Sequence, residues 1–155
     1  MELSASHKVL PRTHIFPVRV YYEDTDAAGI VYHANYLRFA ERARTELLRD
    51  LNIRQRELAI QDGLQFVVRS CEIQYLATAK LDDQLTVESR ITLVRGASVK
   101  AKQLIKSEGR HLVRIEILIA CVNLMGSPAR LPHYVRSALG GQMLKRLRDG
   151  GEWQQ

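Results

Sequence analysis

The sequence has few of the features that stabilise small extracellular domains or anchor a chain in a membrane. It contains two cysteines, Cys71 and Cys121, in 155 residues, without C-x-x-C spacing. Each lies in an apolar run, where a buried free thiol is the simpler interpretation. No apolar run approaches the roughly 20 residues that cross a bilayer, and residues 1–10 lack the apolar core of a secretory signal. We therefore expect a cytoplasmic protein without an integral membrane segment.

Motifs of nucleic-acid-binding proteins are also absent. The formal net charge is +6, but lysines and arginines are scattered along the chain. No zinc-ligand spacing, RNA-binding strand motif or helix-turn-helix pattern accompanies them. Attraction for a phosphorylated small molecule or an acidic carrier protein explains the charge equally well. We expect no nucleic acid among the partners.

The composition is that of an ordinary folded domain. Hydrophobic residues make up 46% and charged residues 26%, and the length suits one domain with its own core. We expect an N-terminal extension over residues 1–12, a folded domain over 13–135 and a basic tail over 136–155. The tail is predicted to be helical, interrupted at Gly140–Gly141 and frayed at its end.

An alternating apolar pattern predicts a first strand over residues 13–22. Four residues alternate on one face of this strand: Phe16, Val18, Val20 and Tyr22. After a loop of about twelve residues, apolar side chains recur at spacings of three and four, which predicts a long helix over 35–50. Asn35 suits the N-cap, and a start near His33 is the alternative.

A second, short helix is predicted to start at Asn52, with Gln55 placed to close a capping box, and to end at Gly63. The chain that follows has the pattern of strands over four ranges: 64–76, 84–95, 97–107 and 110–124. Their short connections require antiparallel neighbours. The predicted class is therefore α+β, with a long central helix wrapped by a curved antiparallel sheet of about five strands.

The loop before the long helix has residues suited to acyl hydrolysis. It carries three carboxylates in four positions: Glu23, Asp24 and Asp26. The small residues 27–29 follow and allow a substrate to approach the backbone closely. The N–H groups of His33 and Ala34 open the helix and can stabilise an oxyanion. A carboxylate beside such donors can activate water or attack a thioester carbonyl itself.

Simpler interpretations stay open at this point. Asp24 and Asp26 can form Asx turns, His33 can be a surface residue, and the nearby tyrosines can serve packing. A serine hydrolase is disfavoured because the sequence has no G-x-S-x-G. No second histidine lies near His33 at ligand spacing, so no metal site is expected.

A resemblance to a known family is carried by residues 21–44, Y-Y-E-D-T-D-A-A-G-I-V-Y-H-A-N-Y-L-R-F-A-E-R-A-R. This segment resembles the signature of the hotdog-fold acyl-CoA thioesterases of the 4-hydroxybenzoyl-CoA thioesterase family, and is most similar to the YbgC branch associated with the Tol-Pal system. The likeness covers about residues 16–132. It implies a hotdog thioesterase domain over 13–135, a homodimer with joined sheets or a homotetramer of paired dimers, and active sites at the subunit interface.

The resemblance also implies roles for individual residues. Asp26, rather than Asp24, matches the catalytic aspartate, which acts as nucleophile or general base. The backbone N–H of His33 matches the group that polarises the carbonyl. Tyr22 and the His33 side chain match positions that support catalysis.

A turn after the third strand matches the family's contact with the CoA nucleotide, through Arg95 and Ser98. Residues 96–97 are Gly and Ala, where the hydroxybenzoyl-specific enzyme is richer in basic residues. This departure weakens the expectation of a tight phosphate clamp and of an aromatic acyl group. Lys100 or Lys102 would have to supply the missing charge.

A second hotdog branch places its catalytic carboxylate on the central helix, where Glu41 is the candidate. It lies a turn or more past the helix start, so Asp26 is preferred. We expect an acyl-CoA thioesterase that needs no cofactor and takes acyl-CoA as substrate. The alternative is a non-catalytic or weakly catalytic binding module for acyl carrier protein or another acidic partner.

Overall fold

The structure is a computed structural model of the 155-residue chain and describes residues 9–10, 12–143 and 145–146. The elements within these residues follow in this order: β1 (Val9–Leu10), β2 (His14–Arg19), α1 (His33–Asp50), α2 (Gln55–Asp62), β3 (Leu64–Tyr75), β4 (Gln84–Val94), β5 (Ser98–Ser107), β6 (Arg110–Asn123), α3 (His133–Gln142) and β7 (Lys145–Arg146). A 3₁₀ turn spans Tyr22–Asp24. The predicted order of strand, two helices and four strands is confirmed.

The main sheet has five antiparallel strands in the order β2-β4-β5-β6-β3. The strand β3 therefore lies at one edge, although it follows the helices directly in sequence. Register shifts interrupt three of the ladders, between Val68 and Ser70, Ile91 and Leu93, and Ile105 and Lys106. Such bulges bend a strand and increase its twist. The strands β1 and β7 form a separate two-stranded sheet.

The core lies between α1 and the face of the sheet that is turned towards it. One stripe of the helix is buried: Asn35, Tyr36, Phe39, Ala40, Ala43 and Leu47. The fully buried sheet residues Leu85, Val87 and Ile105 belong to the same cluster. Burying a side chain of this size contributes roughly 1.5–3 kcal/mol. This packing fixes the position of the N-terminal end of α1 relative to the sheet.

The long helix begins at His33, with Tyr32 as its N-cap. The alternative start near His33 is therefore correct, and the predicted cap at Asn35 is wrong. Asn35 is only 6% exposed and uses its side-chain amide to bind the carbonyl of Asp24. A buried polar residue in the first helical turn here joins the helix to the preceding loop.

The prediction for the second helix is wrong at its start. The φ of Asn52 is 59°, a left-handed value that asparagine tolerates but a helix does not use. Its N–H donates to the carbonyl of Arg49, so it closes α1 instead of opening α2. The side chain of Gln55 donates to Thr45 at 3.3 Å and not to a capping box. Gly63, with φ 64°, ends the helix as predicted.

The last residues of the predicted first strand lie outside β2, and one cysteine expected to be buried is exposed. The strand β2 ends at Arg19, and Val20 still faces the core, but Tyr22 enters the 3₁₀ turn and is 82% exposed. Cys121 is buried as expected, whereas Cys71 is exposed because β3 is an edge strand. The alternating pattern correctly predicted which segments form strands, but it did not predict the position of β3 at the edge of the sheet.

The helix α3 continues through Gly140 and Gly141, so the predicted interruption at this pair is wrong. Its buried residues Val135 and Leu139 pack against β4. Residues 1–8 and 11 of the predicted extension, and 144 and 147–155 of the predicted tail, lie outside the described residues. None of the helices that the structure describes is long and apolar enough to cross a membrane.

Candidate active site

Asp24 fixes the loop between β2 and α1. Its side-chain oxygen accepts a hydrogen bond from the N–H of Tyr21 at 2.8 Å, which ties the carboxylate to the 3₁₀ turn. Its carbonyl accepts from the N–H of Tyr32 and from the amide of Asn35, both at 2.9 Å. The residue is 7% exposed. These contacts satisfy Asp24 internally and connect the loop to the first turn of α1.

Asp26 is held differently. Its carboxylate oxygen Oδ1 accepts the N–H of Ala28 at 2.8 Å, and its own N–H donates to the carbonyl of Ile30 at 2.9 Å. Gly29 has φ 76°, a conformation that favours glycine and lets the chain reverse between these residues. The Asx turn that the simpler interpretation allowed is present at Asp26, and Oδ2 accepts no hydrogen bond from the described residues. One oxygen is anchored, and the other is available to a substrate or a water molecule.

The loop folds back so that Asp26 lies beside the chain that leads into α1. Thr25 and Val31 form an antiparallel bridge, and Ile30 forms another with Lys80 before β4. Within the described residues, the N–H groups of His33 and Ala34 have no acceptor. The first N–H groups of a helix are unsatisfied and carry partial positive charge. A carboxylate oxygen and free N–H donors therefore occur in the same loop-helix junction.

The side chain of His33 is exposed and lies among aromatic rings. Its ring centroid is 4.5 Å from that of Tyr32 and 6.1 Å from that of Tyr75. The hydroxyl of Tyr75 also donates to the carbonyl of His33 at 3.1 Å. Burial raises the pKa of Tyr75, and the nearby Cys71 raises it further. Tyr75 therefore keeps its proton at neutral pH. The end of β3 thus positions the start of α1.

Sequence reasoning did not single out Tyr75 or the role of Tyr36. Tyr36 is 2% exposed, and its hydroxyl accepts the N–H of Ala79 at 3.0 Å. Burial raises the pKa of this phenol. Both tyrosines contact residues more than 40 positions away in sequence. No local spacing signals such pairs, since they depend on how β3 meets the helix.

Tyr22 lies in the same loop as Asp26 but points into solvent. Its carbonyl accepts from the hydroxyl and the N–H of Thr25, at 2.8 and 3.2 Å. Its own hydroxyl makes no hydrogen bond within the described part of the chain. The fold holds the Tyr22 backbone and leaves the phenol free to contact a ligand.

Arg95 and Ser98 are not brought together with Asp26 within one chain. They flank the turn between β4 and β5, where the N–H of Arg95 donates to the carbonyl of Ser98 at 2.8 Å. The strand β4 starts beside the Asp26 loop and runs for 11 residues, about 35 Å at 3.3 Å per residue. The two predicted parts of the site therefore occupy opposite ends of the sheet.

Glu41 lies eight positions beyond His33 on α1, about 12 Å along the helix. It forms an ion pair with Arg44, whose guanidinium also donates to the buried Gln103 at 2.8 Å. Both charged residues line a mostly apolar cavity of about 60 Å³ between α1, the start of β3 and the sheet. The carboxylate at this position is thus engaged with a cation and distant from the helix start.

Among the described residues, no group of three or more His, Cys, Asp or Glu side chains could hold a metal ion. Lys102 pairs with Glu116 at 3.2 Å on the sheet face that is turned away from α1. Lys100 lies on the same face, one alternation along β5. The two lysines are therefore part of that outer face.

Known proteins are similar to this chain in sequence and in fold. The sequence model of the thioesterase-like superfamily matches residues 20–139, which include the Asp26 loop and the main sheet after β2. The acyl-CoA thioesterase YbgC of Haemophilus influenzae is 48% identical over 124 residues, which cover 79% of this chain and 91% of that protein. The acyl-CoA thioester hydrolase YbgC of Escherichia coli is 46% identical over 119 residues, covering 76% and 88%.

A solved structure supports the same relationship. The crystal structure of a probable thioesterase from Bartonella henselae is 43% identical and superposes with a TM-score of 0.75, covering 77% of this chain and 99% of that one. The chain therefore belongs to the thioesterase-like superfamily and, within it, to the YbgC group of hotdog thioesterases.

Proposed function

We propose that this chain hydrolyses an acyl-CoA thioester to a free acid and CoA, with Asp26 as nucleophile or general base. Membership of the YbgC group makes it a thioester hydrolase. The observation that supports the assignment to Asp26 is its half-anchored carboxylate. Oδ1 is bound to the N–H of Ala28, whereas Oδ2 is free beside a helix start with unsatisfied N–H donors.

In this mechanism the thioester carbonyl oxygen accepts a hydrogen bond from the N–H of His33. This contact strengthens as negative charge develops on the oxygen. In the water route, Asp26 removes a proton from water, and the water oxygen adds to the carbonyl carbon. The tetrahedral intermediate then collapses, the C–S bond breaks, and the thiolate of CoA takes up the proton that Asp26 removed from water, which restores the carboxylate.

In the covalent route, the free oxygen of Asp26 attacks the carbonyl carbon. The C–S bond breaks, and a mixed anhydride forms while the thiolate leaves. Water then hydrolyses the anhydride and restores the carboxylate. Both routes use the same two groups, and Tyr22 and the His33 side chain support either one from the exposed rim of the loop.

The active assembly in this proposal is a homodimer formed along β3. This edge strand exposes Val67, Val68 and Tyr75 by 40% to 50%, and no described strand pairs with its outer edge. Unpaired apolar edges favour pairing with another strand. Antiparallel pairing of two β3 strands brings the β4–β5 turn of one chain towards the Asp26 loop of the other, so that Arg95 and Ser98 can reach the CoA nucleotide. Association of two such dimers would give the tetramer.

The assignment is tested by Asp26→Asn, measured by thiol release from short, long and aromatic acyl-CoAs. General base catalysis contributes roughly 10² to 10⁴-fold, so a loss of kcat/KM of that size is expected. Glu23→Gln is the matched control, because it removes an exposed charge from the same loop and should keep nearly full activity. A folded Asp26→Asn variant with undiminished turnover would overturn the role of Asp26.

A carrier protein is the second partner to consider. Arg38 and Arg42 are exposed one turn apart on α1, and neither forms an ion pair within the described residues. This pair favours an acidic partner such as acyl carrier protein. Binding that weakens steeply with salt, without any thiol release from acyl-CoA, would favour the non-catalytic module over the thioesterase.

A further inference from the structure

The hydroxyl of Tyr75 binds a peptide group at the start of α1. It donates to the carbonyl oxygen of His33 at 3.1 Å, and in a helix that carbonyl also accepts the N–H four residues later. Tyr75 itself pairs with Val113 of β6. The next N–H along the chain, that of Leu76, donates to the carbonyl of Leu112 at 2.8 Å. The phenol therefore reaches the helix from the end of a strand whose backbone is held by β6.

The ring of Tyr75 contacts two other aromatic rings. Its centroid lies 6.1 Å from that of His33 and 6.0 Å from that of Tyr36, and both contacts are edge-to-face, an arrangement that aromatic pairs favour. Tyr36 is 2% exposed and therefore offers a fixed surface. The pKa of Tyr75 is raised, mainly by partial burial, so the hydroxyl stays protonated and donates at neutral pH. Packing thus sets the direction of the hydrogen bond to His33.

The carbonyl that Tyr75 binds belongs to the same peptide group as the N–H of Ala34. A donor on the oxygen of a peptide group polarises the whole group, so its N–H becomes a stronger donor, by roughly 10–30% for each bond in a network. Within the described residues the N–H of Ala34 has no acceptor, as is usual for the first N–H groups of a helix. The N–H of His33 belongs to another peptide group, whose carbonyl on Tyr32 accepts the N–H of Asn35 at 2.8 Å. Tyr75 therefore acts on the N–H of Ala34.

We propose that Tyr75 is a positioning residue that strengthens the N–H of Ala34 as a second oxyanion donor beside that of His33. This inference rests on the proposed function, in which the thioester carbonyl lies at the helix start. The carbonyl oxygen gains negative charge as the tetrahedral intermediate forms. A donor that is already fixed and polarised therefore stabilises the transition state more than the bound substrate. Tyr75 does not touch the substrate in this role and exchanges no proton with it.

Tyr75→Phe removes the hydroxyl and keeps the ring. It should lower kcat about two- to tenfold, the effect of one neutral hydrogen bond, and leave KM for the acyl-CoA unchanged. Tyr134→Phe is the matched control, because Tyr134 is 50% exposed on α3 and its hydroxyl donates to Asp62 at 2.9 Å. The control should change neither constant. An unchanged kcat in Tyr75→Phe, or a rise in KM without a fall in kcat, would overturn the inference.

Ala34→Pro removes the N–H on which Tyr75 acts, in the first turn of the helix, where proline is tolerated. It should lower kcat about 10²-fold, as the loss of one oxyanion donor does. In this background Tyr75→Phe should lower kcat no further, because the group through which it acts is gone. If the losses of the two single variants multiply instead, Tyr75 acts independently of Ala34, and the inference is overturned.

A ligand that cannot be hydrolysed separates this inference from the proposed function. In the dethia analogue of an acyl-CoA, a methylene group replaces the thioester sulfur, and a ¹³C label marks the carbonyl. The infrared stretching frequency of this carbonyl should fall on binding to the wild type, because N–H donors polarise it, and should fall less on binding to Tyr75→Phe. Equal frequencies in the two proteins would overturn the inference. A retained difference, with no turnover of any thioester, would overturn the function alone.

Discussion

The side-chain amide of Asn35 donates a hydrogen bond to the carbonyl of Asp24 across 2.9 Å. This contact joins the first turn of α1 to the loop that carries Asp26. Asn35 is 6% exposed and Asp24 is 7% exposed, so water cannot readily replace either partner. The geometry of the proposed site therefore depends on a residue that need not touch the substrate.

Asn35→Ala should lower the free energy of unfolding by about 1–3 kcal/mol, because it leaves the buried carbonyl of Asp24 with one fewer donor. It should also lower kcat, since the loop loses its connection to the helix. Urea denaturation and thiol-release kinetics measure the two effects. Gln61→Ala, at an exposed position on α2, is the control. Unchanged stability and activity in Asn35→Ala would show that the loop is held by other contacts.

Glu41→Gln should keep its turnover within a few-fold of the wild type. Glu41 is paired with Arg44 and lies well beyond the helix start, so it has no place in the proposed chemistry. Arg44 is largely buried and Glu41 is exposed, and Arg44 keeps its hydrogen bond to Gln103 in the variant, so stability should fall by about 1 kcal/mol, the net contribution of one hydrogen bond. The same acyl-CoA assay used for Asp26→Asn gives the comparison. A loss of 100-fold or more in Glu41→Gln would transfer the catalytic role to the helix.

Much of the fold could be predicted because helices and strands follow from the local spacing of apolar residues. The stripe on α1 and the four strands after α2 follow from spacings of 3.6 and two residues. The order of the strands in the sheet does not follow from these spacings, because it depends on which edge of the sheet β3 joins after the helices. This is why Cys71 was expected to be buried and is exposed, while Cys121 on the neighbouring strand is buried.

The candidate site, too, could be predicted in part from local sequence and depends in part on tertiary packing. The carboxylates of Asp24 and Asp26 are two positions apart and have the same chemistry, so residue type could not separate them. The structure gives Asp24 a buried anchoring role and leaves one oxygen of Asp26 free. The contact between Tyr75 and His33 spans 42 positions. It arises from tertiary packing, which no motif in a single sequence encodes.

Val68→Lys should convert the proposed dimer to a monomer and reduce turnover. Val68 is 50% exposed on β3, and a lysine on an edge strand disfavours pairing with a second edge. Analytical ultracentrifugation measures the mass, and thiol release measures the activity. Gln61→Lys adds the same charge on α2, away from the edge, and should leave the mass unchanged. A wild-type monomer, or an active Val68→Lys dimer, would contradict assembly through β3.

Tyr36→Phe should change how stability depends on pH. Burial raises the pKa of Tyr36 above its usual 10.0, so the folded state holds the phenolic proton more tightly than the unfolded state. This contribution is fully present below the unfolded pKa and is lost as pH rises through the folded pKa. The wild type should therefore lose more stability than Tyr36→Phe between pH 8 and 11, as measured by urea denaturation across this range.

At neutral pH, Tyr36→Phe should itself cost about 1–3 kcal/mol, because the N–H of Ala79 loses its acceptor. The difference in unfolding free energy between the two proteins should then shrink as the pH rises. Tyr22→Phe removes a hydroxyl from an exposed side chain and serves as the control. A difference that stays constant from pH 8 to 11 would mean that ionisation of Tyr36 is not linked to unfolding. The alkaline loss of stability would then have to come from other groups.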